Sequence, residues 1–371
     1  MAKNVSDYLH HFSFGFMEAG RWEESYSAVD GAVILRRRLA TYQTTDFNKD
    51  LALSLTLLHI VQVKLGYRDD GLEAISEAVA LYRVLAEEQS SYTNELAMAL
   101  HNLSFIQGRR HQLEGGLVAI QEAVDLRRKF VEDASEPSLL KLNLANSLNS
   151  LAWFLHNLAR DRDALDYALE AVAFQRDIAS DEDPTSFLAL ANYLETLSSC
   201  LSGVSQHEEA LNVICEAEDL QLGELRNYPM ESYQAKAIPN LATILDKKSA
   251  CLASCNQYEN ALTAIQEAVK LRRQLVKDRP AAYNPDLAPS LLNLANRLDD
   301  RGDHAQGLKY VREAVGLWRQ LAEDEPTTFG DAFAKSLDHL ALSLSGVGLK
   351  NEAADTQQEA QKVRDSLRTE A

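Results

Sequence analysis

The sequence predicts an all-α solenoid, because an alanine recurs along it at a nearly constant period. A second small residue precedes each recurring alanine by seven positions. A fixed period in this range is typical of repeat proteins, in which each unit buries its apolar face against its neighbours. The recurring alanines, at intervals of 45 to 51 residues, are Ala32, Ala78, Ala123, Ala171, Ala217, Ala268, Ala314 and Ala360. The preceding small residues are Ser25, Gly71, Gly116, Ala164, Ala210, Ala261, Gly307 and Ala353.

Each repeat is predicted to be an antiparallel pair of helices. In residues 287–321, four leucines follow three- and four-residue steps, which place them on one face of a first helix. Gly302 then ends this helix, because glycine adopts the positive φ of a helix C-cap. A second helix follows and carries Gly307 and Ala314, which are small because the helices cross closely there. The turn positions equivalent to Gly302 are Gly20, Gly66, His111, Ala159, Ser205, Asn256 and Gly348.

The prolines are predicted to lie in the linkers between repeats. Residues 181–187, 278–286 and 323–329 each contain proline. Proline fixes φ and lacks a backbone donor, so we expect it between helices rather than within them.

The chain is strongly acidic, with a formal net charge of −18 over 371 residues. No basic face is therefore expected for a phosphate backbone, so nucleic acid and anionic membranes are not expected partners. No run of 18 apolar residues occurs, and the N-terminus lacks the pattern of a signal peptide. These features favour a soluble cytoplasmic protein.

The spacing Leu-x₇-Gly-x₄-small-x₆-Ala, seen from Leu294 to Ala314, resembles the tetratricopeptide repeat. Units near 46 residues with a long second helix ending LRRQL or LWRQL resemble the kinesin-light-chain-like subclass. Similar extended repeats occur in arrays attached to fungal and bacterial NLR-type and CHAT-protease proteins. The resemblance covers about residues 5 to 367.

The resemblance implies one superhelical domain over residues 1–371, with about eight helix-turn-helix repeats. These would begin near residues 5, 51, 96, 144, 190, 241, 287 and 333. Members of the family form a right-handed superhelix whose first helices line a concave groove. That groove commonly holds peptides or segments of partner proteins.

First-helix residues that face inward in this geometry are the candidate ligand contacts. The first four repeats offer aromatic, aliphatic and histidine side chains, whereas the last four are acidic and amide-rich. Aromatic anchors beside polar groups are typical of ligand sites. Asn102 and Asn293 match asparagines that hold the ligand backbone in peptide-binding members of the family. The candidate groove residues are His10, His11, Phe14, Met17, His101, Asn102, Phe105, Asn149, Trp153, His156, Asp246, Asn293 and Asn296. Packing between repeats is an equally open reading for Phe105 and Trp153.

Charged residues on the second helices are predicted to pair between repeats. Arginine recurs at Arg37, Arg83, Arg128, Arg176, Arg273 and Arg319, and glutamate recurs just before the period-setting alanine. This pattern predicts salt-bridge ladders on a solvated surface. In the sixth repeat Lys248 takes a leucine position, and we expect it to pair with a carboxylate such as Asp246.

Metal and catalytic sites have only weak sequence signals. Asp299, Asp300 and Asp303 read DDxxD, which resembles the magnesium-diphosphate motif of terpene synthases, but they coincide with a repeat turn. Cys251 and Cys255 have a spacing that suits zinc together with Cys200, Cys215 or His207. Small buried residues are the simpler reading of these cysteines. We expect no cofactor.

The preferred hypothesis is a noncatalytic scaffold or adaptor that binds a peptide or protein segment in the groove. The alternative is a small-molecule-binding protein or an enzyme that uses the same groove, with an aromatic and histidine N-terminal half and an acidic C-terminal half. Self-association through the N-terminal helix, which carries Phe12, Phe14 and Phe16, is a further possibility.

Overall fold

The computed structural model describes residues 2–41, 45–110, 112–133, 138–178, 184–227 and 231–370. Within these ranges it contains sixteen α-helices, one single-turn 3₁₀ helix at Ser90–Tyr92 and no β-strand. The all-α prediction is therefore confirmed. The chain divides into two compact units, Met1–Arg160 and Asp161–Ala371.

The first unit contains seven helices that alternate between first and second helices of successive repeats. They are α1 Ala2–Glu18, α2 Trp22–Ala40, α3 Thr45–Leu65, α4 Arg68–Glu88, α5 Thr93–Arg109, α6 Leu113–Asp133 and α7 Ser138–Asn157. Each helix packs mainly against its neighbours in sequence, as expected for a solenoid.

The second unit begins with a second helix and contains nine helices. They are α8 Asp161–Ile178, α9 Pro184–Gly203, α10 His207–Asn227, α11 Glu231–Ser254, α12 Tyr258–Asp278, α13 Pro280–Asp300, α14 His304–Asp324, α15 Pro326–Gly346 and α16 Lys350–Glu370. Here too the main contacts join consecutive helices.

The turns within the helix pairs have the left-handed residue that the sequence predicts. Positive φ occurs at Gly20, Gly66, Gly302 and Gly348, and also at Ala159 (56°), Ser205 (66°) and Asn256 (60°). The next residue donates its N–H back to a carbonyl five positions earlier, as from Asp303 to Leu298 at 2.9 Å. This is the Schellman motif, which satisfies carbonyls at the helix end. His111 lies outside the described residues.

The predicted place of the prolines is partly wrong. Pro280 and Pro326 occupy the first turns of α13 and α15, where the missing N–H costs nothing. Pro239, Pro285 and Pro289 instead lie inside helices. The first helices begin several residues before the predicted repeat starts, so the early part of α13 runs through what the sequence suggested was a linker.

The predicted salt-bridge ladder is present on both units. Arg83 pairs with Glu122 at 2.5 Å, Arg176 with Glu216 at 2.8 Å and Arg273 with Glu313 at 2.8 Å. Arg37–Glu77 and Arg319–Glu359 repeat the arrangement. Because these side chains are largely exposed, each pair contributes little to stability. Lys248 is also paired, but with Glu218 on α10 rather than with Asp246.

A glycine in the third repeat shows how closely the elements approach. Gly116 of α6 lies against the ring of Phe154 from α7, and a Cβ added at this glycine would lie 2.3 Å from a ring carbon. The ring is buried. The contact therefore requires glycine at this place, since neither the helix nor the ring has room to move in a packed core.

We expect Gly116→Ala to destabilise the first unit by about 1–3 kcal/mol, because the methyl group overpacks the α6–α7 contact. The midpoint of thermal unfolding, followed by circular dichroism, should fall by several degrees. Gly316→Ala in α14 is the control, because a Cβ there meets nothing within 4 Å. Its midpoint should stay equal or rise, since alanine favours helix. Equal midpoints for the two variants would contradict this account.

Candidate functional site

An apolar cleft opens between α5 and α7, the first helices of the third and fourth repeats. Its volume is about 300 Å³. Residues one turn apart on each helix form its walls, because side chains at i, i+3 and i+4 share a helix face. The lining residues, called the α5–α7 cleft below, are Ser104, Phe105, Gly108, Arg109, Asn149, Ser150, Trp153 and Phe154.

Two aromatic side chains dominate the walls of the cleft. Phe105 is 51% exposed and Trp153 is 41% exposed, so each side chain is partly packed and partly open to solvent. The Trp153 ring also lies against Gly108 of α5. Phe154 is buried behind Trp153, and the two rings meet edge to face with centroids 5.1 Å apart. This buried neighbour fixes the Trp153 ring while leaving part of it open to solvent.

The polar groups of the cleft are few. The Arg109 guanidinium carbon lies 5.8 Å from the centre of the Phe105 ring, within cation–π range. The Asn149 Oδ1 atom is buried and has no hydrogen-bond partner. This oxygen carries a desolvation penalty, and because it has almost no accessible surface it is not open to a ligand in this conformation.

A hydrogen-bonded network lies one turn below the cleft and joins its two walls. Nδ1 of His101 on α5 lies 3.2 Å from Oγ of Ser147 on α7. The buried Arg127 of α6 donates to the same hydroxyl and to the Asn143 carbonyl. The serine hydroxyl accepts from the arginine and is free to donate to the imidazole, which suits a neutral histidine.

The same network recurs in the first repeat. There Arg36 of α2 is buried and donates to Oγ of Ser54 and the Asp50 carbonyl of α3. His10 of α1 contacts the Ser54 hydroxyl at 3.0 Å through Nδ1. Arg36 also pairs with Asp7 at 2.8 Å.

In the sixth repeat an aspartate replaces the histidine of this network. Asp246 of α11 pairs with the buried Arg272 of α12 at 3.2 Å and accepts a hydrogen bond from Ser290 of α13. Asn293 donates to Asp246 at 2.9 Å. The expectation that Asp246 faces a ligand is therefore corrected, because its carboxylate is buried and occupied between three helices.

Burial lowers the pKa of both network histidines to about 4. For His101 desolvation is the larger cause and the Arg127 charge the second. For His10 the causes are burial, Arg36 and His11, opposed by Asp7. A pKa near 4 leaves both imidazoles neutral near pH 7.

The other predicted groove residues stay outside the cleft. His11 is exposed and donates from Nδ1 to the Asp7 carbonyl at 2.7 Å. Phe14 is largely exposed on α1, as is Phe12 on the same helix. Intermediate exposure is found for Met17, Asn102, His156 and Asn296.

Two of the three aspartates in the acidic turn of the seventh repeat have partners within the protein. Asp299 lies 3.0 Å from His304, Asp300 pairs with Arg297 at 3.3 Å, and Asp303 is the N-cap residue of α14. Among the described residues, no group of three His, Cys, Asp or Glu side chains is placed to hold a metal ion. Burial raises the pKa of the Cys200 thiol to about 12, as expected for a packing residue.

Sequence reasoning missed the buried arginines and the cation of the cleft. The sequence signal for the buried arginines was a pair of adjacent arginines on the second helix, as in Arg36–Arg37, Arg127–Arg128 and Arg272–Arg273. The sequence analysis assigned the second arginine of each pair to the surface salt bridges. It did not recognise that the first arginine is buried. Arg109 stands one turn after Phe105, and this i, i+4 spacing was the available signal.

None of the described helices combines the length and apolar character that a membrane crossing requires.

A family model described as tetratricopeptide repeat matches residues 144–185 and 287–326. Both matches begin at predicted repeat starts. No curated protein matches the sequence.

Several solved structures share the fold at low identity. The apo form of the quorum sensor NprR from B. thuringiensis is 13% identical, with coverage of 97% of this chain and 87% of that chain and a TM-score of 0.64. A Rap protein complexed with competence and sporulation factor is 10% identical, with full coverage of both chains and a TM-score of 0.56. A signal transduction ATPase with a tetratricopeptide repeat sensor, from Pyrococcus horikoshii, is 14% identical over 98% of this chain and 49% of that chain, with a TM-score of 0.51. At these identities the likeness concerns the fold alone.

We expect acid to destabilise the first unit through His101. Its pKa is lower in the folded state than in the unfolded chain, so the unfolded chain binds more protons below pH 6.5. The contribution is fully present above pH 6.5 and is lost as the pH falls towards 4, up to about 3 kcal/mol. Urea unfolding of His101→Gln, followed by circular dichroism, should show a shallower loss of stability over this range.

Gly116→Ala is the control for this titration, because it lowers stability without changing an ionisable group, and its pH dependence should match that of the unaltered protein. A His101→Gln variant with the unaltered slope between pH 6.5 and 4 would contradict the assignment, whatever its stability at pH 7.

Proposed function

We propose that this chain, two segments of which match the tetratricopeptide-repeat model, is a noncatalytic scaffold or adaptor that binds a peptide or protein segment. The proposal places the anchoring contact in the α5–α7 cleft. The observation that carries it is the pair of half-exposed aromatic rings, Phe105 and Trp153, on the walls of an open apolar cleft. Rigid aromatic anchors of this kind supply most of the energy at interfaces.

The composition of the cleft supports binding more than catalysis. Its walls are apolar, and its polar groups are one guanidinium, one amide and two serine hydroxyls. Ser104 and Ser150 already donate to backbone carbonyls of their own helices. Two of the structures that share the fold are described as a quorum sensor and as a complex with competence and sporulation factor. Recognition of a ligand by this fold is consistent with those descriptions.

The alternative, a small-molecule-binding protein or an enzyme, uses the same walls. A volume of about 300 Å³ lies at the lower end of the range for small-molecule sites. It also accommodates one large side chain of a peptide. Asp299 and Asp300 contribute no support to metal-dependent chemistry, since both are paired within the protein.

The test is selection of ligands from a displayed library of random twelve-residue peptides. Peptides enriched by the unaltered protein should bind the double variant Phe105→Ala/Trp153→Ala at least tenfold more weakly, because truncated hot-spot residues cost 1–2 kcal/mol or more. Affinities are measured by fluorescence anisotropy, and circular dichroism should show unchanged helical content.

Leu342→Ala is the matched control for the double variant. Leu342 occupies on α15 the repeat position that Trp153 occupies on α7, and it is 72% exposed. Its variant should retain full affinity. Retained affinity in the double variant would exclude the cleft, and a library without enriched peptides would overturn the proposal.

A further inference from the structure

The first helix, α1, has an apolar side that is open to solvent. Val5, Tyr8 and Phe12 follow steps of three and four residues, so they share one side of the helix. Tyr8 is 67% exposed, Phe12 60% and Val5 44%. The Phe16 ring stacks on Phe12 with the two centroids 6.5 Å apart and extends the surface by one turn. Val5, Tyr8, Phe12, Gly15 and Phe16 are called the α1 face below.

The positions of the α1 face are buried in the later repeats. At the position of Val5 these repeats have seven buried residues, Leu51, Leu96, Leu144, Leu190, Leu241, Leu287 and Phe333. At the position of Tyr8 they have seven more, Ser54, Ala99, Ser147, Tyr193, Ile244, Ser290 and Ser336. The second helix of the preceding repeat covers them, as Val315 and Trp318 of α14 pack on Phe333. The α1 face is therefore a helix-packing surface that the described helices leave open.

The last helix, α16, does not offer a surface that matches the α1 face. Gln357, Gln361 and Arg364 occupy there the positions that two valines and a tryptophan occupy on α14. Both glutamines are exposed, and Arg364 pairs with Asp338. Copies joined head to tail would bury these polar side chains against aromatic rings, which costs their hydration. Two α1 faces instead bring apolar surface against apolar surface.

The α1 face has no charged side chain. Two charged residues of α1 are engaged elsewhere, since Lys3 lies 5.5 Å from the centre of the Phe47 ring and Asp7 pairs with Arg36 at 2.8 Å. Charge matters for a partner of the same kind, because a chain with a net charge of −18 repels its copies. An uncharged apolar surface is where two such chains meet at the least electrostatic cost.

The α1 face is also self-complementary about the middle of the helix. Tyr8 and Phe12 lie two residues on either side of His10, the central residue of Ala2–Glu18. A two-fold axis at this point makes two α1 helices antiparallel and sets Tyr8 of each copy opposite Phe12 of the other. It also sets Val5 opposite Gly15, where an added Cβ meets nothing within 4 Å in the single chain. The steps of three and four residues are the spacing of helices that pack along their length.

We propose that two copies of this chain associate through their α1 faces in an antiparallel, two-fold symmetric dimer. The inference is independent of the α5–α7 cleft and of its ligand. One helix face is smaller than the roughly 800 Å² per partner of a standard interface, so the dimer is reversible, with a dissociation constant on the order of 10 µM.

Sedimentation equilibrium of the full chain, between about 1 and 200 µM, tests the inference. The mass should rise from that of one chain towards that of two and no further. Tyr8→Ser/Phe12→Ser should weaken association by about a hundredfold or more, because each truncated aromatic side chain occurs twice in a symmetric interface. Both side chains are exposed in the single chain, so its thermal unfolding should change little.

Phe14→Ser is the matched control, because Phe14 is 48% exposed on the opposite side of the same helix. This variant should dimerise like the unaltered protein. Gly15→Gln should weaken the dimer about tenfold by filling the space opposite Val5, while the helical content of the single chain stays the same or rises.

A mass of one chain at the highest concentration would overturn the inference, as would full dimerisation of Tyr8→Ser/Phe12→Ser. A mass that continues to rise beyond two chains would overturn the symmetric arrangement, because head-to-tail contacts do not close. Peptides from the displayed library should bind Tyr8→Ser/Phe12→Ser with unchanged affinity, so this inference and the proposed function can fail separately.

Discussion

The close approach of helices at the period-setting alanines is the constraint on which the rest of the structure depends. All eight, from Ala32 to Ala360, have no accessible surface. A larger side chain at these crossings would separate the helices of a pair from their neighbours, and the packed core tolerates little such movement. The glycines seven positions earlier extend the constraint, as Gly116 shows where it meets Phe154. The spacing of the first helices, and with it the width of the α5–α7 cleft, follows from these contacts.

Polar side chains then fix the relative position of the helices that alanine brings together. Small first-helix residues donate to the carbonyl of the small second-helix residue twelve positions later, as Ser198 does to Ala210 and Ser249 to Ala261, both at 2.8 Å. The imidazole of His59 makes the equivalent contact with Gly71 at 2.8 Å. Each bond satisfies a buried polar group, which the interior requires. Side-chain hydrogen bonds are directional, so they specify a register that apolar contacts alone leave looser.

The sequence contains enough information for the repeat pattern but not for every side chain in it. The period, the left-handed turn residues and the exposed arginine–glutamate pairs could be predicted because each depends on local spacing or on one recurring position. The burial of Arg272 and Asp246 could not, since two opposite charges enter a core only together and the pairing spans three helices. Only some of the residues that line the α5–α7 cleft could be predicted from the sequence. Phe105, Asn149 and Trp153 were identified from their register, whereas Phe154 and Arg109 depend on how α7 turns against α5 and α6. Whether Asn102 and Asn293 hold a ligand backbone stays a prediction.

The arginine-centred networks occur at some junctions between repeats and not at others. Tyr82 and Trp318 occupy on α4 and α14 the position that Arg36, Arg127 and Arg272 occupy on their helices. Both are buried, Tyr82 with its hydroxyl bonded to Thr56 and Trp318 among apolar residues. An apolar junction tolerates sliding by fractions of an ångström at little energetic expense, whereas a guanidinium held by a hydroxyl and a carbonyl resists it. The chain therefore has stiff and compliant joints in a fixed order along its length. We expect strain to concentrate at the junctions that lack a guanidinium, whereas the α6–α7 junction beside the cleft, held by Arg127, should resist it.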